Sequence, residues 1–234
     1  MAAVVLLSGG LDSVVSAYAA RQEHSLELTI TFDYGQRAAA RELEAALCVA
    51  AELGVLHRLI KLPWLARLSP TAMTDPAAPL GQATDATIWV PARNAVFVSI
   101  AAAFAEALGC QAIVCGLNAE EGRTFPDNSA QFVERADALL ALATRNAVHV
   151  VAPTLELTKP EIVQLGMQLG APLHLVWSCY GGGPEHCFEC ASCRRLQEAL
   201  RAAGAWEPWQ AQRRCPGDRP NPARRSGWQP DSAR

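Results

Sequence analysis

The hydrophobic pattern of the chain alternates between short apolar runs and longer stretches in which apolar residues recur at helical spacing. The short runs are rich in β-branched residues and predict buried strands, and the longer stretches predict helices. The strands are expected at residues 2–7, 26–32, 55–62, 111–115 and 148–151, and the helices at 11–22, 37–53, 96–108, 131–144 and 159–169. This alternation predicts an α/β fold, a doubly wound parallel sheet of about five strands with helices on both faces.

Two segments lack this alternation. Residues 63–91 are rich in Pro, Thr and Ala without a stable period. Because a loop of this length is more often functional than idle, we expect it to act as a lid. Residues 205–234 combine Pro, Gly and six Arg with no apolar period. We predict that they form a mostly disordered tail.

Composition and charge narrow the class of protein. The chain has 234 residues, of which 50% are hydrophobic and 18% charged, which is enough for a buried core and excludes global disorder. The net charge of −3 divides into −6 on residues 1–204 and +3 on the tail, so the body has no electrostatic case for binding nucleic acid. The longest apolar stretch, residues 95–105, is shorter than the roughly 20 residues of a membrane span. We expect a cytoplasmic protein without a signal peptide, in which the eight cysteines are poor candidates for disulfides.

The first candidate motif lies where the first predicted strand turns into the first helix, and it reads Ser8-Gly9-Gly10-Leu11-Asp12-Ser13. Glycines let the backbone approach an anion, the amides of a helix's first turn point toward it, and hydroxyls add donors. The motif therefore indicates a phosphate or pyrophosphate site. The alternative is a glycine turn in which Asp12 or Ser13 caps the helix. The common P-loop and dinucleotide-binding fingerprints are absent from the sequence.

The second candidate motif is a group of four cysteines, Cys179, Cys187, Cys190 and Cys193, with intervals of seven, two and two residues. Four thiolates at such spacing can form a tetrahedral zinc site. An iron–sulfur cluster is the main alternative, but the single set and the lack of Pro after Cys193 favour zinc. The adjacent His186 is interpreted as a solvated loop residue.

The pairing of these motifs resembles a known family. The first motif resembles the PP-loop of ATP pyrophosphatases, enzymes of the adenine-nucleotide α-hydrolase fold that split ATP between its α and β phosphates. With the cysteines, the chain is similar over about residues 3–204 to the 7-cyano-7-deazaguanine (preQ0) synthases of queuosine biosynthesis. The other matching segments are Asp33-Tyr34-Gly35-Gln36-Arg37, Pro91-Ala92-Arg93-Asn94, Gly116-Leu117-Asn118, Leu157-Thr158-Lys159-Pro160-Glu161 and Trp177-Ser178-Cys179-Tyr180.

The resemblance implies conversion of 7-carboxy-7-deazaguanine and ammonia to 7-cyano-7-deazaguanine through an adenylated acid and an adenylated amide. It implies Mg²⁺-ATP as a substrate, one structural Zn²⁺ per chain and a homodimer, with no requirement for nucleic acid or a membrane. The implied nucleotide-binding residues are Leu7, Ser8, Gly9, Gly10, Leu11, Asp12, Ser13, Asp33 and Arg37. The implied catalytic residues are Lys159, Arg93 and Asp12, the substrate-binding residues Asp127 and Arg93, and the metal ligands Cys179, Cys187, Cys190 and Cys193.

Two of these residues also have physical reasons to be functional. Lys159, one of two lysines in the chain, is expected at the carboxyl edge of the sheet, where a point charge suits a departing pyrophosphate. Its segment also reads as a capping box of Thr158 and Glu161, which is a purely structural role. Arg93 opens a helix, where the dipole disfavours a cation, so it calls for an anionic partner.

The chain departs from the family in one segment. Where these synthases usually carry Tyr-Pro-Asp-Cys-Arg, this chain has Phe125-Pro126-Asp127-Asn128-Ser129, and we consider Arg123 as a replacement for the missing arginine. Two other functions stay open. One is a different PP-loop enzyme, such as a tRNA thiolase or an amide synthetase, although Cys110 and Cys115 lie in or beside a predicted strand where cysteine is usually inert. The other is a zinc module that binds nucleic acid with the basic tail.

These features divide the chain into three parts. We assign residues 1–170 to a nucleotide-binding α/β domain. Residues 171–204 form a C-terminal helical and zinc-binding segment, and residues 205–234 form the tail.

Overall fold

A computed structural model describes residues 1–68 and 70–212 of the chain. Its five strands form one sheet in the order β3-β2-β1-β4-β5, and every neighbouring pair is parallel. This confirms the predicted α/β fold and the predicted number of strands. The strands are β1 (Ala2–Leu6), β2 (Ser25–Asp33), β3 (Leu56–Lys61), β4 (Ala112–Val114) and β5 (His149–Val151).

Helices follow the strands and cover both faces of the sheet. One face packs against α1, α2, α8, α9 and α10, and the other against α5 and α7. Strand β1 contributes to both cores, because Val4 faces one and Val5 the other, and both are fully buried. The helices are α1 (Leu11–Ala20), α2 (Ala39–Leu53), α3 (Pro63–Leu68), α4 (Asp85–Ile88), α5 (Arg93–Ala107), α6 (Ala119–Gly122), α7 (Ala130–Ala143), α8 (Lys159–Gln168), α9 (Ala191–Ala202) and α10 (Trp206–Gln212).

The strand order reverses beside β1, which pairs with β2 on one side and with β4 on the other. The chain leaves these neighbouring strands toward opposite faces, so a crevice opens at their carboxyl ends. Gly116, just beyond β4, lies against the start of α1, and a Cβ atom there would come within 2.4 Å of the Ser13 nitrogen. Only glycine permits this close approach of the segment after β4 to the start of α1.

The segment 63–91 is more ordered than its composition predicts. It contains the short helices α3 and α4 and a 3₁₀ turn at Leu80–Gln82. Leu65, Met73 and Ile88 are buried, and the Arg37 guanidinium donates to the Ala78 carbonyl at 2.7 Å. The segment is therefore a packed cover held by apolar contacts and by an arginine from outside it.

The predicted tail begins too early. Residues 206–212 form α10, where Trp209 is 3% exposed and donates its indole N–H to the Leu173 carbonyl at 2.9 Å. Pro208 falls in the first turn, where proline is tolerated, so it does not break this helix. Trp206 and Trp209 stack with ring centroids 5.5 Å apart. The remainder of the predicted tail, residues 213–234, lies outside the described residues.

Within the described part of the chain, residues 85–107 are the one stretch with the length and hydropathy of a membrane span, with a mean hydropathy of 1.5. A single such stretch is weak evidence for a span. The structure divides it between α4 and α5, which are separated by residues 89–92, and Ala92 has a φ of +53°. Helix α5 packs Val98, Ala101 and Ala105 against the sheet, and 28% of an 18-residue window of the stretch is buried.

Candidate active site

A cavity of about 260 Å³ opens at the carboxyl edge of the sheet, beyond the ends of β1, β2 and β4. The first motif lines one side of it, and residues flanking the cysteines line another. The two motifs touch, because the Trp177 amide donates to the Gly9 carbonyl at 2.9 Å. The structure thus joins the two sequence motifs in a single site, as expected for ligand binding at a switch point.

The motif after β1 is shaped as an anion cradle. Gly9 has a φ of +78°, and a Cβ atom there would lie 2.8 Å from Ala45 and from the Glu42 carbonyl oxygen. The hydroxyls of Ser8 and Ser13 are 3.0 Å apart. Helix α1 begins after Gly10, and no side chain caps its N-terminus. Neither Asp12 nor Ser13 therefore acts as the cap of this helix. The amides at this end are left for a ligand, which favours the anion-binding interpretation over the capping alternative.

Lys159 lines the same cavity as this cradle, and two carboxylates hold it. Its ammonium forms ion pairs with Asp12 and, at 3.1 Å, with Glu121. Asn118 fixes both acids: its Nδ2 donates to Asp12 at 3.2 Å, and its Oδ1 accepts from the Glu121 amide at 2.9 Å. The Lys159 amide donates to Glu120 at 2.8 Å. The capping box of Thr158 and Glu161 is also formed, so the structural and charged roles coexist.

The charges in this cluster are set by opposing effects. Burial alone lowers the pKa of Lys159, but Asp12 and Glu121 outweigh it and raise that pKa, so the ammonium stays charged. Burial raises the pKa of Asp12 against the effect of Lys159. Burial also raises the pKa of Glu121, but the effect of Lys159 is larger and the pKa is lowered overall. One oxygen of Asp12, Oδ1, is buried and has no hydrogen-bond partner in the described structure, so a further cation can be accommodated there.

Arg93 and Asp127 lie on another side of the cavity. Arg93 is the first residue of α5, after the left-handed Ala92, and its guanidinium donates to the Tyr34 hydroxyl at 3.4 Å. Asp127 is 8% exposed and accepts from the Asn94 amide at 3.3 Å and from Asn128 Nδ2 at 2.9 Å. Burial raises the pKa of Asp127 against the effect of Arg93.

Some expected residues do not line the cavity. Leu7, Ser8, Gly10, Leu11, Asp12 and Ser13 do, whereas Gly9, Asp33 and Arg37 do not. Asp33 accepts from the Gly35 amide at 3.1 Å, and Arg37 holds the 63–91 segment. Their contacts are thus with the turn and the cover rather than with the cavity.

The departure from the family motif is also resolved. Ser129 caps α7 by accepting from the Phe132 amide at 3.1 Å, and Asn128 is buried against Asp127. Arg123 is exposed and does not line the cavity, so it does not replace the missing arginine. Arg195 of α9 does line it, and this residue was not anticipated.

The four cysteines converge. The Sγ atoms of Cys179, Cys187, Cys190 and Cys193 all lie within 4.8 Å of one another and can hold a metal ion. Backbone amides point at the sulfurs, including those of Gly181 to Cys179 at 3.3 Å and of Cys190 to Cys187 at 3.3 Å. Such amides favour thiolates.

His186 is not the solvated residue we expected. It accepts from the Ser178 amide at 3.2 Å, and its ring centroid is 4.5 Å from that of Trp177. It therefore supports the cysteine segment through hydrogen bonding and aromatic packing.

The cysteine segment also builds the cavity wall. Ser178, Tyr180, Ser192 and Arg195 line the cavity beside the cysteines. Arg195 forms an ion pair with Asp85 of α4 at 3.3 Å, which links this wall to the cover. Sequence reasoning also missed Glu42, Glu121 and Tyr34, which line the cavity.

Known proteins match this chain over a stretch that includes both motifs. Residues 2–204 match the family model described as Queuosine biosynthesis protein QueC. The chain is 46% identical over 217 residues to the 7-cyano-7-deazaguanine synthase of Pelotomaculum thermopropionicum, which covers 87% of this chain and 98% of that protein. It is 45% identical to that of Bdellovibrio bacteriovorus, over 86% and 93% of the two chains, and 42% identical to that of Methanosarcina barkeri, over 89% and 97%. The chain belongs to the queuosine biosynthesis protein QueC family.

Proposed function

We propose that this protein is a 7-cyano-7-deazaguanine synthase, a C–N ligase that converts 7-carboxy-7-deazaguanine and ammonia to the nitrile while ATP is split to AMP and pyrophosphate. The observation that carries this proposal is the cavity in which an uncapped helix N-terminus and Lys159 face the same space as Arg93 and Asp127. The names of the curated relatives and their near-complete coverage support it.

The anion cradle suits the nucleotide half of this chemistry. A carboxylate is a poor electrophile, so its oxygen must first attack the α phosphorus of ATP and release pyrophosphate. Ser8, Ser13 and the first amides of α1 bind the pyrophosphate, and Lys159 stabilises its growing charge. The unpartnered Asp12 Oδ1 fits the Mg²⁺ that accompanies ATP as substrate.

Arg93 and Asp127 suit the acceptor half. The Arg93 guanidinium can bind the carboxylate of the acid, or the α phosphate, through two parallel hydrogen bonds. Asp127 is buried and already oriented by Asn94 and Asn128, so it can accept from N–H groups on the base edge of a deazaguanine. The two residues are therefore proposed to orient the acid for adenylation.

The cysteine cluster is proposed to hold a structural Zn²⁺. A tetrahedral ion with Zn–S bonds of about 2.3 Å places its sulfurs about 3.8 Å apart, and the Cys187 and Cys193 sulfurs are 3.9 Å apart. An iron–sulfur cluster must fit several iron and sulfide atoms between its cysteines, whereas mutual distances within 4.8 Å suit one ion. Four protein ligands leave no open position, which is typical of a structural site.

A tRNA thiolase is less favoured. Cys115 lines the cavity, but burial raises the pKa of its thiol to about 12, so it stays protonated and unreactive at neutral pH. Cys110 is fully buried in the core. A nucleic-acid module does not account for the pyrophosphate cradle, and the substrates we propose are small molecules.

The proposal includes a homodimer in the cytoplasm. Leu139 and Leu142 of α7 are 58% and 91% exposed, and Ala95, Ser99 and Ala103 of α5 are also exposed. An apolar surface on these helices supports an interface between two copies. Sedimentation analysis of the purified protein tests it, and a monomer at micromolar concentration contradicts it. The seven described cysteines are all free, in keeping with a reducing compartment.

Acid-dependent exchange of radiolabelled pyrophosphate into ATP, measured without ammonia, tests the activation step. We expect exchange with 7-carboxy-7-deazaguanine and none with 7-deazaguanine, which lacks the carboxyl group. Exchange that is equally fast without the acid, or that requires tRNA, contradicts the proposal.

A further inference from the structure

Glu42 is a cavity carboxyl to which the roles above give no task. It lies in the first turn of α2, and its own carbonyl oxygen packs against Gly9 of the pyrophosphate cradle. Its side chain lines the same cavity as Lys159 and Arg93. The backbone of α2 thus places this acid beside the nucleotide-binding loop.

The carboxyl of Glu42 is held in a defined orientation by Gln36, which is 4% exposed. The Gln36 Oε1 accepts from the Tyr34 amide at 2.9 Å, so its Nε2 must donate. It donates to the Phe32 carbonyl at 3.0 Å and to Glu42 Oε2 at 2.8 Å. An amide fixed by three hydrogen bonds is a rigid support for a reacting group.

The groups that face Glu42 come from two other parts of the fold. Arg93 of α5 and Gln36 act to lower the pKa of Glu42, whereas burial and Asp33 raise it, and burial prevails. Burial raises the pKa of the Tyr34 hydroxyl, and the charge of Glu42 raises it further against the effect of Arg93. A carboxylate with a raised pKa accepts a proton more readily than a carboxylate with an ordinary pKa.

The other carboxyls of the cavity are already engaged. Asp12 and Glu121 pair with Lys159, and Asp127 is held by Asn94 and Asn128. Within the described residues, Glu42 has an amide partner and forms no ion pair. It is therefore the cavity acid best able to change its protonation state.

Resting on the proposed function, we propose that Glu42 is the proton acceptor of the ammonia-dependent step. The nitrogen lone pair of ammonia forms a bond to the carbonyl carbon of the adenylated acid. The nitrogen becomes positively charged and acidic, and it passes one proton to the Glu42 carboxylate. The bond between that carbon and the oxygen of AMP breaks, AMP leaves with the electron pair, and the products are the amide, AMP and protonated Glu42, which returns its proton to water.

The same carboxylate serves the second half of the reaction. After the amide oxygen has displaced pyrophosphate from a second ATP, the nitrogen still carries two protons. Formation of the carbon–nitrogen triple bond requires the loss of both protons and cleavage of the C–O bond to AMP, which leaves with the electron pair. Glu42 accepts them in turn and releases each to water.

The test separates activation from ammonia transfer in the Glu42→Gln variant, whose amide keeps the shape of the side chain. We expect acid-dependent ATP–pyrophosphate exchange within about threefold of the unaltered protein. We expect nitrile formation from ammonium at neutral pH to fall by about 100-fold. The matched control is Glu44→Gln, on the same helix, where the acid pairs with Arg41 at 3.1 Å and does not line the cavity. This control keeps both activities.

The outcomes are distinguishable. Loss of exchange in Glu42→Gln together with nitrile formation assigns the residue to nucleotide or acid binding and overturns the inference. Unchanged nitrile formation also overturns it. Absence of acid-dependent exchange in the unaltered protein instead contradicts the proposed function itself. A Glu42→Asp variant that recovers part of the nitrile formation supports a proton-transfer role.

Discussion

The two sides of the cavity are built by different means. The cradle of Ser8–Ser13 is supported by β1 and α1, whose apolar residues are buried in the main cores, and its charges are balanced by Lys159. The wall of Ser178, Tyr180, Ser192 and Arg195 belongs to a segment whose core consists mainly of three of the four cysteines, Trp177 and two alanines. The first side is preformed by hydrophobic packing, whereas we propose that the second depends on a metal bound by the cysteines. We therefore expect the two sides to fail differently.

The largest effect should come from the cradle side. Lys159→Met removes the cation that balances two partly buried acids, so we expect acid-dependent pyrophosphate exchange to fall by about 10³-fold. The variant should also lose about 3–5 kcal/mol of stability, measured by denaturant unfolding, because Asp12 and Glu121 are left uncompensated. Lys61→Met, at the exposed end of β3, is the control and should change neither. A fully active Lys159→Met protein would refute the role of this cation.

The cysteine side should respond to metal loss while the sheet survives. In Cys190→Ser we expect less than one metal per chain by elemental analysis and a 10- to 100-fold loss of activity, roughly the range for disturbed metal sites. The β-sheet signal in circular dichroism should persist. Cys48→Ser, which alters a free cysteine of α2, should retain both metal and activity. Collapse of the whole fold on metal removal would erase the contrast between the two sides.

A smaller effect is expected where β4 meets the cradle. A Cβ atom at position 116 collides with the backbone of Ser13, so Gly116→Ala must displace the start of α1. We expect a KM for ATP raised about tenfold and a stability loss of about 1–3 kcal/mol. Gly81→Ala, where no atom lies within 4 Å of the added Cβ, is the matched variant in the cover and should leave the KM unchanged. Equal effects of the two variants would contradict the packing argument.

The smallest effect belongs to the link between the cysteine side and the cover. The Arg195–Asp85 pair is partly exposed, and such pairs contribute about 0–1 kcal/mol. Arg195 lines the cavity, and Asp85→Asn removes the partner that holds it. We therefore expect this variant to raise the KM for the acid by about two- to fivefold, with a larger effect at low ionic strength than at high. A loss as large as that of Lys159→Met would show that the cover has a catalytic role.

Sequence alone could predict the sheet and both motifs, because these depend on local patterns. The apolar run of β1 and the glycines after it specify a strand followed by a close-approach loop, and the cysteine spacing specifies a metal site. Lys159 was also located, since a helix start after the last strand falls at the carboxyl edge of the sheet.

The remaining site residues depend on contacts between distant elements. Glu42 and Glu121 look like solvated acids in the sequence, and only the packing of α2 against Gly9 and the Asn118 hydrogen bonds place them inside. Arg37 was expected at the nucleotide, but its partner is the Ala78 carbonyl of a segment without a sequence signal. Helix α10 was missed because the burial of Trp209 against Leu173 outweighs the presence of proline.

The most direct test is product analysis. The purified protein is incubated with 7-carboxy-7-deazaguanine, ammonium and Mg²⁺-ATP, and the products are identified by mass spectrometry. We predict 7-cyano-7-deazaguanine with two AMP and two pyrophosphate released per nitrile, and no AMP when the acid is omitted. Release of ADP, or recovery of the acid unchanged while ATP is consumed, would contradict the assignment.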